Sequence, residues 1–263
     1  MNKILFTKNN ILRFLSSLVL ISTSLYCIIQ GGLVLLIALS ILTFLITYEY
    51  ISITEKIDTI YLKVTKSFLN IIIFLLSILS FNFSIFFFII VFLLNLIQKK
   101  TIKSHKIFVF LGPIYLCLPL IFLYNIRMFH DDLNIIIWFL SIVWLTDSFS
   151  YIGGNLIGGK KLILSISPNK TWSGFVCGIV SATIFSGICF YIYDYEVLSG
   201  IIFGFLLALF TQFGDLFESW IKRKHLVKDS GKLIPGHGGF LDRLDGLLLS
   251  SILLYVGYII YGV

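Results

Sequence analysis

Two acid pairs in this chain have the spacing of a cation-binding site. In "FTQFGDLFESW", Asp215 and Glu218 are three residues apart and Ser219 follows, so a helix sets all three on one face. In "FLDRLDG", Asp242 and Asp245 repeat the three-residue step. An oxygen-only donor set of this kind suits Mg2+, which takes carboxylates, waters and substrate phosphates. Basic side chains crowd the same stretch: Lys222, Arg223, Lys228 and Arg243. An Arg fork grips phosphate bidentately, and a Lys acts as a point charge. Between the pairs, "PGHGG" offers backbone N–H groups at Gly238 and Gly239 to a phosphate oxygen. His237 stands alone, which argues against zinc; it either donates to phosphate or steadies the turn. Asp242 has a second reading as a helix N-cap, where Asp is favoured, but a cap needs neither the second Asp nor Arg243. Together these are the parts of a metal-assisted phosphate-transfer site.

What must position them is a membrane scaffold. Of the 263 residues, 58% are hydrophobic and 13% charged, where a soluble domain carries about 25% charged. The apolar residues fall in blocks that can cross a bilayer, which takes roughly 20 residues per helix. The expected fold is all-α and polytopic, with about nine transmembrane helices near 13–29, 31–47, 67–80, 82–97, 107–125, 133–153, 174–193, 198–218 and 246–262. Residues 67–97 make one helix of about 46 Å or two short ones; the former exceeds a ~30 Å core. Charge supports two. With nine spans, all of the 20 Lys and Arg except Arg127 fall on one side, as the positive-inside rule requires. The N-terminus is then cytoplasmic and the C-terminus outside. The apolar run after Lys3, Lys8 and Arg13 reads as a first membrane helix that is retained, because no small-residue cleavage site follows.

The chain is expected to be one membrane-embedded domain, with an N-terminal helical half (1–130) and a catalytic half (131–263). Two cytoplasmic loops, 154–173 and 219–245, are longer and more polar than a connection needs, and loops are where sites collect. Lys224 and Lys232 are read as topology charges. Asp147, inside an apolar block, either makes an interhelical hydrogen bond or serves the site. The four cysteines sit in apolar blocks with no C-x-x-C pair, so neither a disulfide framework nor a zinc site is expected. The net charge of +7 is mostly this topology signal. No nucleic-acid partner is expected, because no basic patch accompanies an RNA-reading motif.

From Ser219 to Asp245, "SWIKRKHLVKDSGKLIPGHGGFLDRLD" resembles the signature of the phosphatidate cytidylyltransferases, or CDP-diacylglycerol synthases. The matching positions are Ser219, Lys222-Arg223, Lys228-Asp229, Pro235, His237-Gly238-Gly239, Asp242-Arg243 and Asp245. "WLTDSFSYIGGNLIGGKKLILSISPNKTWSG" is similar to that family's second motif at Asp147, Tyr151, Gly154, Gly158, Ser167, Pro168, Lys170, Thr171, Trp172 and Gly174. Ser150 stands where the family usually has Ala, and Ser173 where it usually has Glu. The resemblance covers roughly 145–250.

It implies an enzyme of the bacterial inner membrane, with its site facing the cytoplasm, that takes CTP and phosphatidate to CDP-diacylglycerol and diphosphate. It also implies a homodimer, Mg2+ at Asp215 and Asp242 with help from Asp245, and a second divalent or a monovalent cation. Asp215, Asp242, Asp245, Lys222, Arg223 and Arg243 are then the catalytic set. Ser167, Asn169, Lys170, Thr171, Ser219, Lys228, His237, Gly238 and Gly239 bind substrate, while the lipid enters from the inner leaflet. Two other classes compete. One is another membrane phosphotransferase, a CDP-alcohol or prenyl-phosphate sugar transferase; the former shares the D-x-x-D-G of "DRLDG", but its A-R does not follow. A transporter would use Asp147 and Asp215 for ions, but leaves both long loops without a purpose.

Overall fold

A computed structural model describes residues 8–55, 59–79, 89, 106–129, 133–231, 233–234 and 238–261. The elements are helices α1 (Lys8–Gln30), α2 (Gly32–Thr54), α3 (Ile60–Leu79), α4 (Lys106–Phe129) and α5 (Leu133–Leu156), strands β1 (Lys161–Ile163) and β2 (Ser167–Thr171), then helices α6 (Trp172–Ile192), α7 (Val197–Lys224) and α8 (Leu241–Tyr261). Among the described residues, seven helices, α2 to α8, are long and apolar enough to cross a membrane. The apolar part of α1, Leu15–Gln30, is shorter. The expected fourth span, 82–97, lies outside the described residues apart from Ile89.

Two expectations change. Loop 154–173 is not wholly irregular: β1 and β2 pair antiparallel, Lys161 with Thr171 and Ile163 with Ser167, so the fold is not purely α. Loop 219–245 is also shorter than expected. Helix α7 runs through Lys224 and α8 starts at Leu241. At 28 residues α7 is about 42 Å long, more than a ~30 Å hydrocarbon core. Its last turns can therefore be polar and still helical, which a hydropathy boundary misses. Lys222, Arg223 and Lys224 occupy its last turn, where cations suit the helix dipole.

The contacts fall into two compact units: Met1–Asp131 with Val227–Leu244, and Asp132–Leu226 with Asp245–Val263. In the first, α2, α3 and α4 pack mutually around Ile46, Phe74, Leu116 and Leu120, all fully buried. Helix α4 carries Pro113 and Pro119 inside it, which membrane helices tolerate when neighbours satisfy the freed carbonyls. Arg127, the lone basic residue on its expected side, is tied down. Its Nε donates to Ile28 O at 2.8 Å and an NH2 group to Ile29 O at 3.1 Å, so it caps the last carbonyls of α1. A buried ion pair joins Lys66 to Glu55. Burial pushes the Glu55 carboxyl up, and the Lys66 ammonium opposes that shift.

In the second unit α6 packs on both α5 and α7, which also touch each other. Small residues let the backbones close up, as in membrane bundles generally: a Cβ on Gly204 would fall 2.9 Å from Ser186 Oγ and 3.1 Å from Ala182 O.

Candidate active site

In the second unit the site residues come from α7, α8 and the hairpin. On α7 the side chains at 215, 218, 219 and 222 share a face, as their spacing dictates. Asp215 Oδ2 forms an ion pair with Lys170 Nζ at 2.5 Å, and Oδ1 accepts from Ser219 Oγ at 3.4 Å. Glu218, 1% exposed, forms an ion pair with Lys222, its Oε2 lying 2.5 Å from the ammonium nitrogen. Lys170 reaches Asp215 because strand β2 ends at Thr171 and turns at once into α6. The Thr171 hydroxyl caps α6 by accepting from Gly174 N at 3.2 Å. Arg223 Nε donates to Ile166 O at 3.2 Å, fastening the last turn of α7 to the hairpin turn.

Asp245 joins this group from α8, within electrostatic reach of Asp215, Glu218 and Asp147. Gly214 and Gly246 make that approach possible. A Cβ on Gly214 would lie 3.0 Å from Gly246 Cα and 3.2 Å from the Asp245 carbonyl carbon. The two helices therefore cross backbone to backbone beside the carboxylates. Lys170 and Lys222 pair with two of these four acids.

In the first unit the loop before α8 folds around Asp242. Ser230 N donates to Asp242 Oδ1 at 3.1 Å and Oδ2 at 3.0 Å, and Gly239 N donates to Oδ2 at 2.9 Å. Gly238 takes φ +85°, a left-handed conformation suited to glycine, and its carbonyl accepts from Ile234 N at 2.9 Å. The Gly239 N–H is thus committed to Asp242 rather than offered to a ligand. Asp242 sits in the first turn of α8, so its second reading, as a group serving the helix start, fits what it touches.

Of the other expected residues, Lys228, Asn169 and Arg243 are exposed and Ser167 is half-buried on β2. His237 lies outside the described residues. Ser173, which replaces an expected Glu, hydrogen-bonds Thr171 Oγ1 at 2.9 Å and donates to Gly158 O, so it holds the loop and not a charge.

Sequence reasoning missed Glu49. Near the end of α2 it is 3% exposed and accepts from Phe240 N at 3.1 Å, Leu241 N at 2.9 Å and Ser230 Oγ at 3.1 Å. Ending the second span at 47 placed Glu49 in a loop and hid it. A charge flanked by aromatics in "YEY" at the end of an apolar run was the available signal.

Among the described residues, no three or more His, Cys, Asp or Glu side chains close tightly enough to form a ready-made metal cage. Mg2+ does not require one, because one or two carboxylates plus waters and substrate phosphates suffice. The all-oxygen, acid-rich cluster around Asp215, already facing an ammonium, fits such an ion.

The model of the cytidylyltransferase family matches residues 11–261. A phosphatidate cytidylyltransferase of Rickettsia felis is 34% identical over 208 residues, covering 75% of this chain and 92% of the relative. That of Rickettsia bellii is 34% identical over 219 residues, 79% of this chain and 94% of the relative. That of Brucella abortus is 43% identical over 122 residues, 46% of this chain and 45% of the relative.

Proposed function

The chain belongs to the cytidylyltransferase family, and on that premise we propose that it transfers the cytidylyl group of CTP to phosphatidate. The products are CDP-diacylglycerol and diphosphate. The observation that carries the site assignment is Asp215, with Lys170 on one oxygen, Ser219 on the other and Asp245 nearby.

A phosphate oxygen of phosphatidate attacks the α-phosphorus of CTP, and the bond from that phosphorus to the β-phosphate oxygen breaks. The nucleophile is already ionised at neutral pH, so the site needs no strong base. It needs alignment of two anions and relief of their charge. Asp215 and Asp245 would hold Mg2+, which when bound offsets charge on the reacting phosphates. Asp242 joins that assignment on sequence, three residues before Asp245 on α8. Lys170, Lys222 and Arg223 supply fixed positive charge to the phosphates, and Arg243 and Lys228 are further phosphate contacts by their chemistry. The second cation remains part of the same proposal.

The topology proposal is nine spans with a cytoplasmic N-terminus and a cytoplasm-facing site, supported by the one-sided distribution of Lys and Arg. A homodimer in the bacterial inner membrane follows from the family resemblance. The deciding assay is purified full-length protein with CTP, phosphatidate and Mg2+. The expected product is CDP-diacylglycerol; its absence with folded protein overturns the proposal.

A further inference from the structure

We propose that Glu49, from the N-terminal half of the chain, is a positioning residue that sets Asp242 through Ser230 and the start of α8. The inference rests on the cytidylyltransferase reading above. A helix start leaves its first N–H groups without helical partners, and here those of Phe240, Leu241 and Asp242 meet side-chain acceptors. Glu49 Oε1 takes Phe240 N–H and Oε2 takes Leu241 N–H. Ser230 Oγ accepts from Asp242 N at 3.3 Å while donating to Glu49 Oε2. Ser230 N–H then points at both oxygens of Asp242. The chain Glu49–Ser230–Asp242 is continuous, and Glu49 is its buried end.

The surroundings are shaped to this carboxylate. A Cβ on Gly239 would fall 2.5 Å from Glu49 Oε2 and 2.6 Å from Oε1, and one on Gly231 would fall 2.5 Å from Oε1. Two glycines thus stand where any side chain would collide with Glu49. Every acceptance Glu49 makes is an acceptor-only task suited to an ionised carboxylate. In Glu49→Gln an NH2 group must face either an N–H or the Ser230 hydroxyl. That swap keeps the volume, loses one acceptor and disturbs the group that orients Asp242. Partners of this kind orient a metal-binding carboxylate without touching the metal.

The test compares Glu49→Gln, Glu49→Asp and Ser230→Ala in the full chain, with folded yield and melting temperature recorded. For Glu49→Gln the expected result is a loss of about 10- to 100-fold in turnover or Mg2+ affinity. The Mg2+ concentration for half-maximal rate rises, and Glu49→Asp partly restores it. Unchanged Mg2+ dependence in folded Glu49→Gln overturns the proposal, even if turnover falls. If Glu49→Gln does not fold, Ser230→Ala decides: a raised Mg2+ requirement supports the link, and wild-type dependence overturns it. Mn2+ binding measured by electron spin resonance separates the two readings. A wild-type protein that makes no CDP-diacylglycerol fails the function. Equal Mn2+ binding by wild type and variant fails the Glu49 inference alone.

Discussion

Replacing Gly214 by Ala should remove most activity while barely touching stability. The added Cβ would sit 3.0 Å from Gly246 Cα and 3.2 Å from the Asp245 carbonyl carbon, and closer still to that carbonyl's oxygen, where ordinary contact begins at 3.4 Å. All three neighbours are backbone, so no rotamer change relieves them and α8 must back away from α7. A shift on the order of 1 Å between Asp215 and Asp245 is the kind that costs about 10²-fold in rate, or roughly 2.7 kcal/mol of barrier. The stability change is smaller. Overpacking costs about 1–3 kcal/mol, and exchanging Gly for Ala in a helix returns about 1 kcal/mol. Against a typical reserve of about 5–15 kcal/mol, the folded fraction stays near one. Gly200→Ala is the control. Its Cβ would meet the Phe190 side chain, with Cβ at 2.6 Å, an overpacked contact about 21 Å along α7 from Gly214. The measurement is turnover of CTP and phosphatidate alongside a thermal melt for both variants. Gly214→Ala should fall about 100-fold while Gly200→Ala stays within about twofold. If Gly214→Ala turns over within about threefold of wild type, the close crossing does not set the catalytic geometry.

Other expectations follow from single contacts. Asp215→Asn should abolish turnover in folded protein; a near-normal rate would refute its place at the metal. Lys170→Ala should weaken CTP use, seen as a raised KM or a lowered kcat/KM, and unchanged kinetics would leave the ion pair with Asp215 without a catalytic part. Lys66→Met should strip the buried Glu55 of its partner and lower stability by about 3–5 kcal/mol, with Lys66→Met/Glu55→Gln recovering most of it. Because burial raises the Glu55 carboxyl in the fold, the Lys66→Met protein should be steadiest in acid and lose stability as pH rises from the unfolded carboxylate range through the folded value. A melting series across pH checks that sign. A C-terminal tag should be reached by a membrane-impermeant label from outside the cell, and labelling only after lysis would overturn nine spans.

The sequence made the apolar helices legible because hydropathy over a window of ~20 residues is a sum, and sums survive local exceptions. It misplaced their ends for the same reason. The polar last two turns of α7, from Glu218 to Lys224, lower the window average while the backbone stays helical. The short hairpin was illegible, since Lys161–Ile163 and Ser167–Thr171 are too short to show a strand period and only Thr171 among them is buried. Spacing exposed the acid pairs, because i, i+3 on a helix is a local property. Lys170 against Asp215 spans 45 residues, and Glu49 against Leu241 spans 192. No local pattern encodes either pairing. Yet glycines mark the Glu49 contact and the crossing of α7 with α8. Gly214 and Gly246 mark where two backbones touch, and Gly231 and Gly239 mark where a buried carboxylate leaves no room. A glycine that no turn requires is best read as the imprint of something pressed against it. In this chain one such pair lies beside the carboxylates proposed to act on phosphate, and a second pair surrounds the buried carboxylate that steadies Asp242.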